Sequence, residues 1–286
     1  MAPNKRKFCL MHANCQGEPV AALLARHPDF SRGWELRHIS NYTGEEVPDA
    51  ALARCDLFVY QHLGEKWGEL ASARLLGRLH ALSSGAASFQ MPNLLFKGYW
   101  PFWTMHSPID YGDTVLNRLI EAGAQKPEIL KIYLHGDIRK FTDPDANLAE
   151  TLRIQREKEE GCAVRTWDIL AERWADPLDA SNGPLMYSIN HPGRLILERI
   201  CNGLLDYLGL APLPPGLAAA YTPDYADFEL PIHPALARHF KLPFAGSGHE
   251  FNIYGRRMTF EAYISRYIDC RLNGYEADFI SYLQLV

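Results

Sequence analysis

The first quarter of the chain alternates short apolar runs with segments that carry apolar residues at helical spacing. Lys7 to Ala13, Trp34 to Ile39 and Cys55 to Tyr60 have the length and apolar content of strands. Glu18 to His27 and Glu69 to Leu82 place their leucines on one helix face. This alternation predicts an α/β fold with a mostly parallel open sheet and flanking helices.

The middle of the chain predicts one more strand and a helical insertion. Met91 to Phe96 has the apolar content of a strand and leads into a loop rich in aromatic residues. Residues from about 114 to 176 are mainly helical in pattern, and we interpret them as an insertion into the α/β domain. An amphipathic helix follows His191 and Pro192, and Gly209 is its predicted C-terminal stop.

The last part of the chain is predicted to extend this domain. From about 211 to 286 the sequence is rich in proline and aromatic residues, and it closes with two predicted helices, near Phe260 to Ile268 and Ala277 to Leu285. With 286 residues and 47% hydrophobic content, the chain can bury one sizeable core. We therefore expect a single α/β domain over residues 1–286.

Composition and motifs exclude several classes of protein. The chain has 29 Lys+Arg against 34 Asp+Glu, a net charge of −5, and no long basic run, which argues against nucleic acid as a partner. It contains no run of about 18 apolar residues, so we expect no membrane span and a cytoplasmic protein. The six cysteines are scattered without a C-x-x-C pair, which argues against a metal site and against a disulfide scaffold. The sequence also lacks the Rossmann, P-loop, H-E-x-x-H and G-x-S-x-G motifs.

The turn after the first predicted strand carries a cysteine between two amides, Asn14-Cys15-Gln16. A thiol where a strand meets a helix lies near the positive end of the helix dipole, which lowers the pKa of the thiol. The flanking amides, together with Gln61 at the end of the third strand, can donate hydrogen bonds to an oxyanion. The same turn offers backbone N–H groups to an anion, so Gly17 is a candidate cofactor-binding residue. The alternative is that Cys15 is a small buried residue that packs the helix onto the sheet.

A cysteine nucleophile needs a base, and three histidines are candidates. His191 lies in a predicted loop at the start of a helix, and we rank it first. His62 follows the third strand, at the edge of the sheet where ligands of α/β proteins bind, and we rank it second. His12 lies on the first strand, which can bury it. For each of them the alternative is a hydrogen-bonded structural imidazole, and Asp137 and Asp168 are candidates for an orienting carboxylate.

The aromatic loop over residues 96–103 is a candidate cofactor site. It carries five aromatic residues, among them Tyr99, that can stack on an adenine or a sugar ring. Lys97 and Gly98 can bring a cation and a backbone N–H group to a phosphate, and Arg194 is a further phosphate candidate. The alternative is that the loop fills the core beneath the surface.

At these positions the chain resembles the WcbI-type polysaccharide biosynthesis proteins, a family of acetyltransferases that bind coenzyme A. The resemblance spans roughly residues 7 to 210 and rests on four matching segments, which are Asn14-Cys15-Gln16, Tyr60-Gln61, Pro92-Asn93 through Gly98-Tyr99, and Asn190-His191-Pro192. The layout also resembles that of the SGNH hydrolases, whose nucleophile likewise follows the first strand. Cys15 stands where those enzymes have serine, and no D-x-x-H block lies near the C-terminus, so an SGNH triad is not expected.

The resemblance implies that coenzyme A or acetyl-coenzyme A is the ligand and that a sugar of a bacterial capsular polysaccharide is O-acetylated. It implies a sugar or polysaccharide acceptor and other capsule biosynthesis proteins as partners. In this hypothesis Cys15 takes the acetyl group or helps to bind the thioester, His191 moves the proton, and Asn190 joins the substrate-binding amides. A direct transfer without acylation of Cys15 is also open.

Two rival functions need the same polar pocket. The first is a carbohydrate esterase of SGNH-like type, which would use water as the acceptor. The second is a non-catalytic protein of capsule assembly that binds coenzyme A or a glycan. Release of acetate without coenzyme A would favour the esterase, and tight binding without turnover would favour the binding protein.

Overall fold

The structure is a computed structural model that describes residues 6–105, 111–176, 183–274 and 279–285. Its centre is a four-stranded parallel sheet with the strand order β2-β1-β3-β4. The strands of this sheet are β1 (Lys7–Ala13), β2 (Trp34–Ser40), β3 (Leu57–Gln61) and β4 (Ala87–Met91). This is the mostly parallel α/β sheet that the sequence predicts.

The helices and the remaining short strands surround this sheet. The helices are α1 (Gly17–Arg26), α2 (Pro28–Gly33), α3 (Asp49–Ala53), α4 (Ser72–Leu82), α5 (Thr114–Glu121), α6 (Lys126–His135), α7 (Pro144–Lys158), α8 (Trp167–Arg173), α9 (Arg194–Tyr207), α10 (Pro234–His239), α11 (Phe260–Leu272) and α12 (Phe279–Leu285). The short strands form three pairs, β5 (Trp103–Met105) with β6 (Tyr111–Asp113), β7 (Met186–Ser188) with β8 (His191–Pro192), and β9 (Glu250–Ile253) with β10 (Arg256–Thr259). None of the described helices is long and apolar enough to cross a bilayer.

The side chains of β1 alternate between the two faces of the sheet, and both faces are buried. Cys9 and Met11 belong to the larger apolar cluster, to which α1 and α9 contribute. Phe8 and Leu10 belong to a second cluster, to which α3 and α4 contribute. Strands that are buried on both faces read as continuous apolar runs, which is how β1 and β3 stand out in the sequence.

The fourth strand lies earlier in the sequence than predicted. β4 ends at Met91, and the apolar run 92–96 is a loop instead. Pro92 has no N–H group to give to a strand ladder. Side chains from other elements bind the polar backbone of this loop: Gln61 binds the Pro92 carbonyl, and Gln16 binds both the N–H and the carbonyl of Leu94.

Four helices, α5 to α8, lie within the predicted insertion at 114–176, and α10 to α12 lie within the predicted extension. α9 ends where predicted, because Gly209 adopts a positive φ of 67° just after it. α12 begins at Phe279 among the described residues, and the predicted start at Ala277 lies outside them. Leu116 of the insertion and Phe260 of the extension join the same apolar cluster as β1. The single-domain organisation stays a prediction.

Candidate functional site

The turn between β1 and α1 is fixed by hydrogen bonds to Asn14. Its side-chain Oδ1 accepts from the Gln16 N–H at 2.9 Å, and its carbonyl accepts from the Gly17 N–H at 2.8 Å. The Asn14 N–H donates to Gln61 Oε1 at 2.8 Å. Because parallel strands end at the same edge of the sheet, this bond ties the ends of β1 and β3 together. Cys15 lies half-buried in the middle of the turn.

Gln16 and Gln61 are fully buried and hold three segments of the chain together. Gln16 Nε2 donates to the carbonyls of Leu94 and Asn190, at 2.9 and 2.8 Å. Gln61 Nε2 donates to Gln16 Oε1 and to the Pro92 carbonyl, at 3.1 and 2.9 Å. A side-chain amide has two N–H donors, so both donors of each glutamine are used. The prediction that Gln16 and Gln61 donate to an oxyanion was therefore wrong, and their role is to position the loops at Leu94 and Asn190.

Asn14 and Asn190 keep a donor that a substrate can use. Asn14 Nδ2 donates to Asn93 Oδ1 at 3.3 Å, and Asn190 Nδ2 donates to Cys15 Sγ at 3.7 Å. Each amide has a second hydrogen for which the described residues provide no acceptor. Both asparagines are half-buried, so these hydrogens can reach a bound group beside Cys15. They stay candidates for the oxyanion site.

The Cys15 thiol is less acidic than the sequence predicts. Burial, and to a smaller extent the charge of Glu18, raise its pKa to about 11. The backbone N–H groups of Cys15 and Gln16 lower the pKa, as expected near the start of a helix, but their effect is smaller than that of burial. Cys15 is therefore a protonated thiol at neutral pH, which corrects the expectation of a low pKa.

His191 lies in the same pocket and is neutral at physiological pH. Burial lowers its pKa to about 4. Its ring stacks on Tyr225 with 4.3 Å between centroids and 2° between planes, and its Nδ1 lies 3.4 Å from the Tyr111 hydroxyl. The Tyr111 hydroxyl also donates to Asn190 Oδ1 at 3.3 Å, and Asn190 in turn contacts Cys15. Among the described residues His191 makes no direct hydrogen bond to Cys15, so the two are linked through Asn190 and Tyr111.

Sequence reasoning missed four residues of this pocket. Tyr111 contacts His191, and its hydroxyl lies 3.1 Å from Ser188 Oγ. Tyr225 supplies the ring that stacks on His191, and Asn93 accepts from Asn14. Asn93 could have been found, because it belongs to one of the segments that carry the family resemblance. Nothing local in the sequence marks Tyr111, Ser188 or Tyr225.

The other predicted bases and carboxylates lie elsewhere. His62 is exposed, just past the end of β3, and does not join the pocket. His12 is buried on the opposite face of the sheet, where it stacks on Phe58. Asp137 accepts from the Arg139 N–H in a surface turn, and Asp168 pairs with Arg199 at 3.1 Å. Among the described residues, none of these side chains hydrogen-bonds to Cys15 or His191, so the structure does not bring His62, Asp137 or Asp168 together with them.

The aromatic loop is part of the core and does not form a cofactor platform. Tyr99 is 2% exposed, and its hydroxyl donates to the Trp174 carbonyl. Gly98 is buried, and a Cβ there would lie 2.4 Å from the Phe96 ring, so this backbone is closely packed and leaves no room for a phosphate. The prediction that Gly98 and Tyr99 bind a cofactor is corrected, because both are part of the core. Lys97 is half-buried with its Nζ 4.8 Å from the centre of the Trp103 ring.

Gly17 also has a packing role. Its N–H is bonded to the Asn14 carbonyl and is not free for an anion. A Cβ at this position would lie 2.6 Å from His38 Nε2 and 2.8 Å from the Ala13 Cβ. Gly17 is therefore required for the close approach of α1 to the sheet, which corrects its assignment to cofactor binding.

Arg194 lies at the start of α9 and faces a cavity near the pocket. The cavity has a volume of about 170 Å³ and is also lined by Tyr187 and Tyr221. The Tyr187 ring lies 6.0 Å from the Tyr225 ring, and Tyr225 stacks on His191. A cationic cavity is thus separated from His191 by these aromatic rings.

Comparisons with known proteins agree with this fold and with the matching segments. The family described as polysaccharide biosynthesis enzyme WcbI matches residues 8–213. A solved structure of WcbI matches with a TM-score of 0.73 and 17% identity, over 98% of this chain and 94% of that chain. That structure is described as the native protein without a disulfide bond between coenzyme A and one of its cysteines. No curated protein matches.

At 17% identity the solved structure shows a shared fold. The family match goes further, because residues 8–213 make up well over half of the 286 residues and include Asn14, Gln61 and His191. The chain belongs to the WcbI family of polysaccharide biosynthesis enzymes.

Proposed function

We propose that this WcbI-family enzyme is an acetyl-coenzyme A dependent O-acetyltransferase that modifies a sugar of a bacterial capsular polysaccharide or of its precursor. The observation that carries the proposal is one hydrogen-bonded cluster in which Asn190 joins the Cys15 sulfur to the neutral imidazole of His191 through Tyr111. The description of the solved WcbI structure, which names coenzyme A together with a cysteine, supports it. We take Cys15 as the counterpart of that cysteine.

The proposal assumes one tautomer of His191. In it, Tyr111 donates its one hydroxyl hydrogen to Asn190 Oδ1, and the Tyr111 oxygen accepts from His191 Nδ1–H. The remaining nitrogen, Nε2, carries a lone pair and is the basic atom of the neutral ring. Tyr111 thus orients the base, a role that an aspartate has in a serine hydrolase triad.

The chemistry follows as a direct transfer. His191 Nε2 takes the proton of a sugar hydroxyl as the oxygen attacks the thioester carbonyl of acetyl-coenzyme A. The new C–O bond forms, the C–S bond breaks, and the imidazolium returns the proton to the coenzyme A sulfur. The free amide hydrogens of Asn14 and Asn190 donate to the oxyanion in between. The high pKa of Cys15 and the lack of a direct contact with His191 among the described residues favour this route over acylation of Cys15.

The cavity next to Arg194 is our candidate for the phosphates of coenzyme A. Arg194 brings a positive charge to the start of the 14-residue helix α9, where the helix dipole also favours an anion. The guanidinium of Arg26 lies 4.7 Å from the centre of the Tyr221 ring, which lines the same cavity. One cation therefore lines this cavity, and a second contacts one of its lining rings. Lys97 stays a weaker candidate, because its Nζ lies over the Trp103 ring.

Calorimetric titration with coenzyme A and acetyl-coenzyme A tests the first half of the proposal. We expect micromolar binding to the wild type and weaker binding to Arg194→Ala. As a control, Cys162→Ala, at a half-buried cysteine other than Cys15, should leave the affinity unchanged. No binding of either ligand to the wild type would reject the transferase. Release of acetate from an acetylated glycan without coenzyme A would indicate the esterase.

Intact mass and single-turnover kinetics test the second half of the proposal, which is the direct transfer of the acetyl group. Direct transfer predicts that Cys15→Ser keeps most of the rate and that no acetyl adduct appears on the protein. His191→Gln should slow transfer by about 10² to 10⁴-fold, because the base is lost. An acetyl adduct on Cys15 that forms and decays at the rate of turnover would show the covalent route instead.

A further inference from the structure

A second cavity lies beside the site, on the other side of Tyr187 from Arg194. It has a volume of about 150 Å³, and its wall is mainly aromatic. Its aromatic side chains are Tyr99, Trp100, Tyr187, Phe244 and Phe251. A cavity of this size can hold a six-membered ring.

Three polar side chains line the same cavity. Glu229 and His249 are half-buried and Arg257 is exposed. One Glu229 oxygen accepts from the Asn252 N–H at 2.8 Å, and Arg257 donates to the Glu250 carbonyl, so both side chains are held in place. Among the described residues, Glu229 and Arg257 form no salt bridge with each other. Each therefore keeps hydrogen-bonding capacity that faces the cavity.

The cavity connects to the proposed base through two ring contacts. Tyr187 lines the cavity, and its ring lies 6.0 Å from that of Tyr225. Tyr225 stacks on His191 at 4.3 Å. The Tyr187 carbonyl also accepts from the Leu230 N–H at 2.7 Å, which fixes the wall. A ring in this cavity is thus near His191 but does not contact it.

We propose that this cavity binds an uncharged sugar unit of the acceptor glycan, adjacent to the unit that is acetylated. The proposal rests on the proposed function, because it assigns the acceptor of that reaction. Aromatic faces pack against the C–H face of a sugar ring, and a few fixed polar groups bind its hydroxyls. Glu229 accepts hydroxyl hydrogens and Arg257 donates to hydroxyl oxygens.

The charges and the shape select this class of ligand. Glu229 and Arg257 contribute one negative and one positive charge, so the cavity has no preference for an anionic or a cationic ring. An acyl chain would desolvate the half-buried Glu229 and give its second oxygen no donor, which is costly. A neutral sugar offers hydroxyl hydrogens to Glu229 and hydroxyl oxygens to Arg257.

Binding of neutral hexose oligosaccharides tests the proposal. We would screen a glycan array that carries such oligosaccharides of one to six units, and then titrate the best-bound hexasaccharide by calorimetry. We expect Arg257→Ala and His249→Ala each to weaken hexasaccharide binding by about 10-fold. Arg256→Ala is the matched control, because the neighbouring guanidinium donates to the Gln284 carbonyl and does not line the cavity.

The same variants separate this proposal from the proposed function. The affinity for coenzyme A should be unchanged in Arg257→Ala, since the cavity next to Arg194 lies on the other side of Tyr187. Glu229→Gln keeps the packing and the acceptor for Asn252, and it serves if an alanine variant unfolds. The sugar site is rejected if no oligosaccharide binds the wild type. It is also rejected if the hexasaccharide binds Arg257→Ala, His249→Ala and Glu229→Gln as tightly as it binds the wild type. If the wild type binds the hexasaccharide but does not bind coenzyme A, the transferase is rejected and the cavity is still a sugar-binding site.

Discussion

A single side chain, Gln16, organises the pocket at the scale of the residue. Its amide binds main-chain groups of two segments that are distant in sequence, at Leu94 and Asn190. It is fully buried, so water cannot replace these bonds when they are lost. The position of Asn190, and through it the contact with Cys15, depends on this amide.

We expect Gln16→Ala to destabilise the protein by about 2 kcal/mol or more, because it leaves buried main-chain groups without partners. Gln125→Ala, at an exposed position, is the control and should change little. Urea denaturation followed by circular dichroism gives both values. A loss below about 0.5 kcal/mol for Gln16→Ala, typical of a surface site, would show that water enters and replaces the amide.

Three buried histidines predict how stability depends on pH. Burial lowers the pKa of His12, His191 and His233 from 6.5 to about 4. Between these values the unfolded chain binds protons that the folded chain does not. Their neutral forms thus support the fold fully above pH 6.5, and stability falls as the pH drops towards 4.

Urea midpoints measured from pH 4 to 7.5 check this expectation. His12→Leu should give a shallower fall, because it removes a buried imidazole whose Nε2 has no hydrogen-bond partner among the described residues. His62→Leu, at an exposed position, should leave the slope unchanged. A midpoint that stays constant from pH 6.5 to 4 in the wild type would mean that water reaches these rings.

At the scale of the element, the first turn of α1 is placed by Gly17. Gly17→Ala puts a Cβ 2.6 Å from His38 Nε2, so α1 must move away from the sheet and take Cys15 with it. We expect a loss of stability of about 1–3 kcal/mol and weaker coenzyme A binding. Gly77→Ala is the matched control: its Cβ meets nothing within 4 Å, and it lies in α4.

Gly77→Ala should stabilise the protein by about 0.5–1 kcal/mol, because alanine favours the helix. Thermal and urea unfolding of both variants measure the difference. The packing argument fails if the two substitutions change stability in the same direction and by the same amount.

The sequence pattern predicts an element well where burial alone decides its structure. β1 agrees at both ends with the predicted run Lys7 to Ala13, since both faces of the strand are covered. The run at 92–96 is as apolar but forms a loop, because three glutamine side chains bind its backbone. Apolar periodicity contains no information about such partners. It also contains no information about the pKa of the Cys15 thiol, because that pKa depends on how deeply the turn is buried.

At the scale of the whole molecule, the larger apolar cluster includes residues from the sheet, the predicted insertion and the predicted extension. Met11 of the sheet, Leu116 of the predicted insertion and Phe260 of the predicted extension belong to it. We therefore expect one cooperative unfolding transition, with the same midpoint by far-ultraviolet circular dichroism and by tryptophan fluorescence. Two separated midpoints would show that the insertion or the extension folds as an independent unit.

The pocket is formed by residues that are far apart in the sequence, and this explains why some of them could not be predicted from it. Cys15 and His191 were identifiable because each follows a strand-like run in a segment that resembles the family. Tyr111 and Tyr225 come from regions on either side of His191 with no such signal, and only the fold brings them to its ring. Tyr225 reaches the ring because the C-terminal region packs there, and Tyr111 reaches it from β6.

The stacking partner of His191 has a consequence for how this family can diversify. Tyr225 lies beyond the matched region 8–213, and so do Glu229, His249 and Arg257. The groups proposed to carry out the transfer precede residue 213, whereas most of the polar groups proposed to select the sugar follow it. On the proposed function, substitutions in the C-terminal region would change the acceptor while the turn at Cys15 is left intact. Exchange of this region between family members would then give enzymes that act on different glycans.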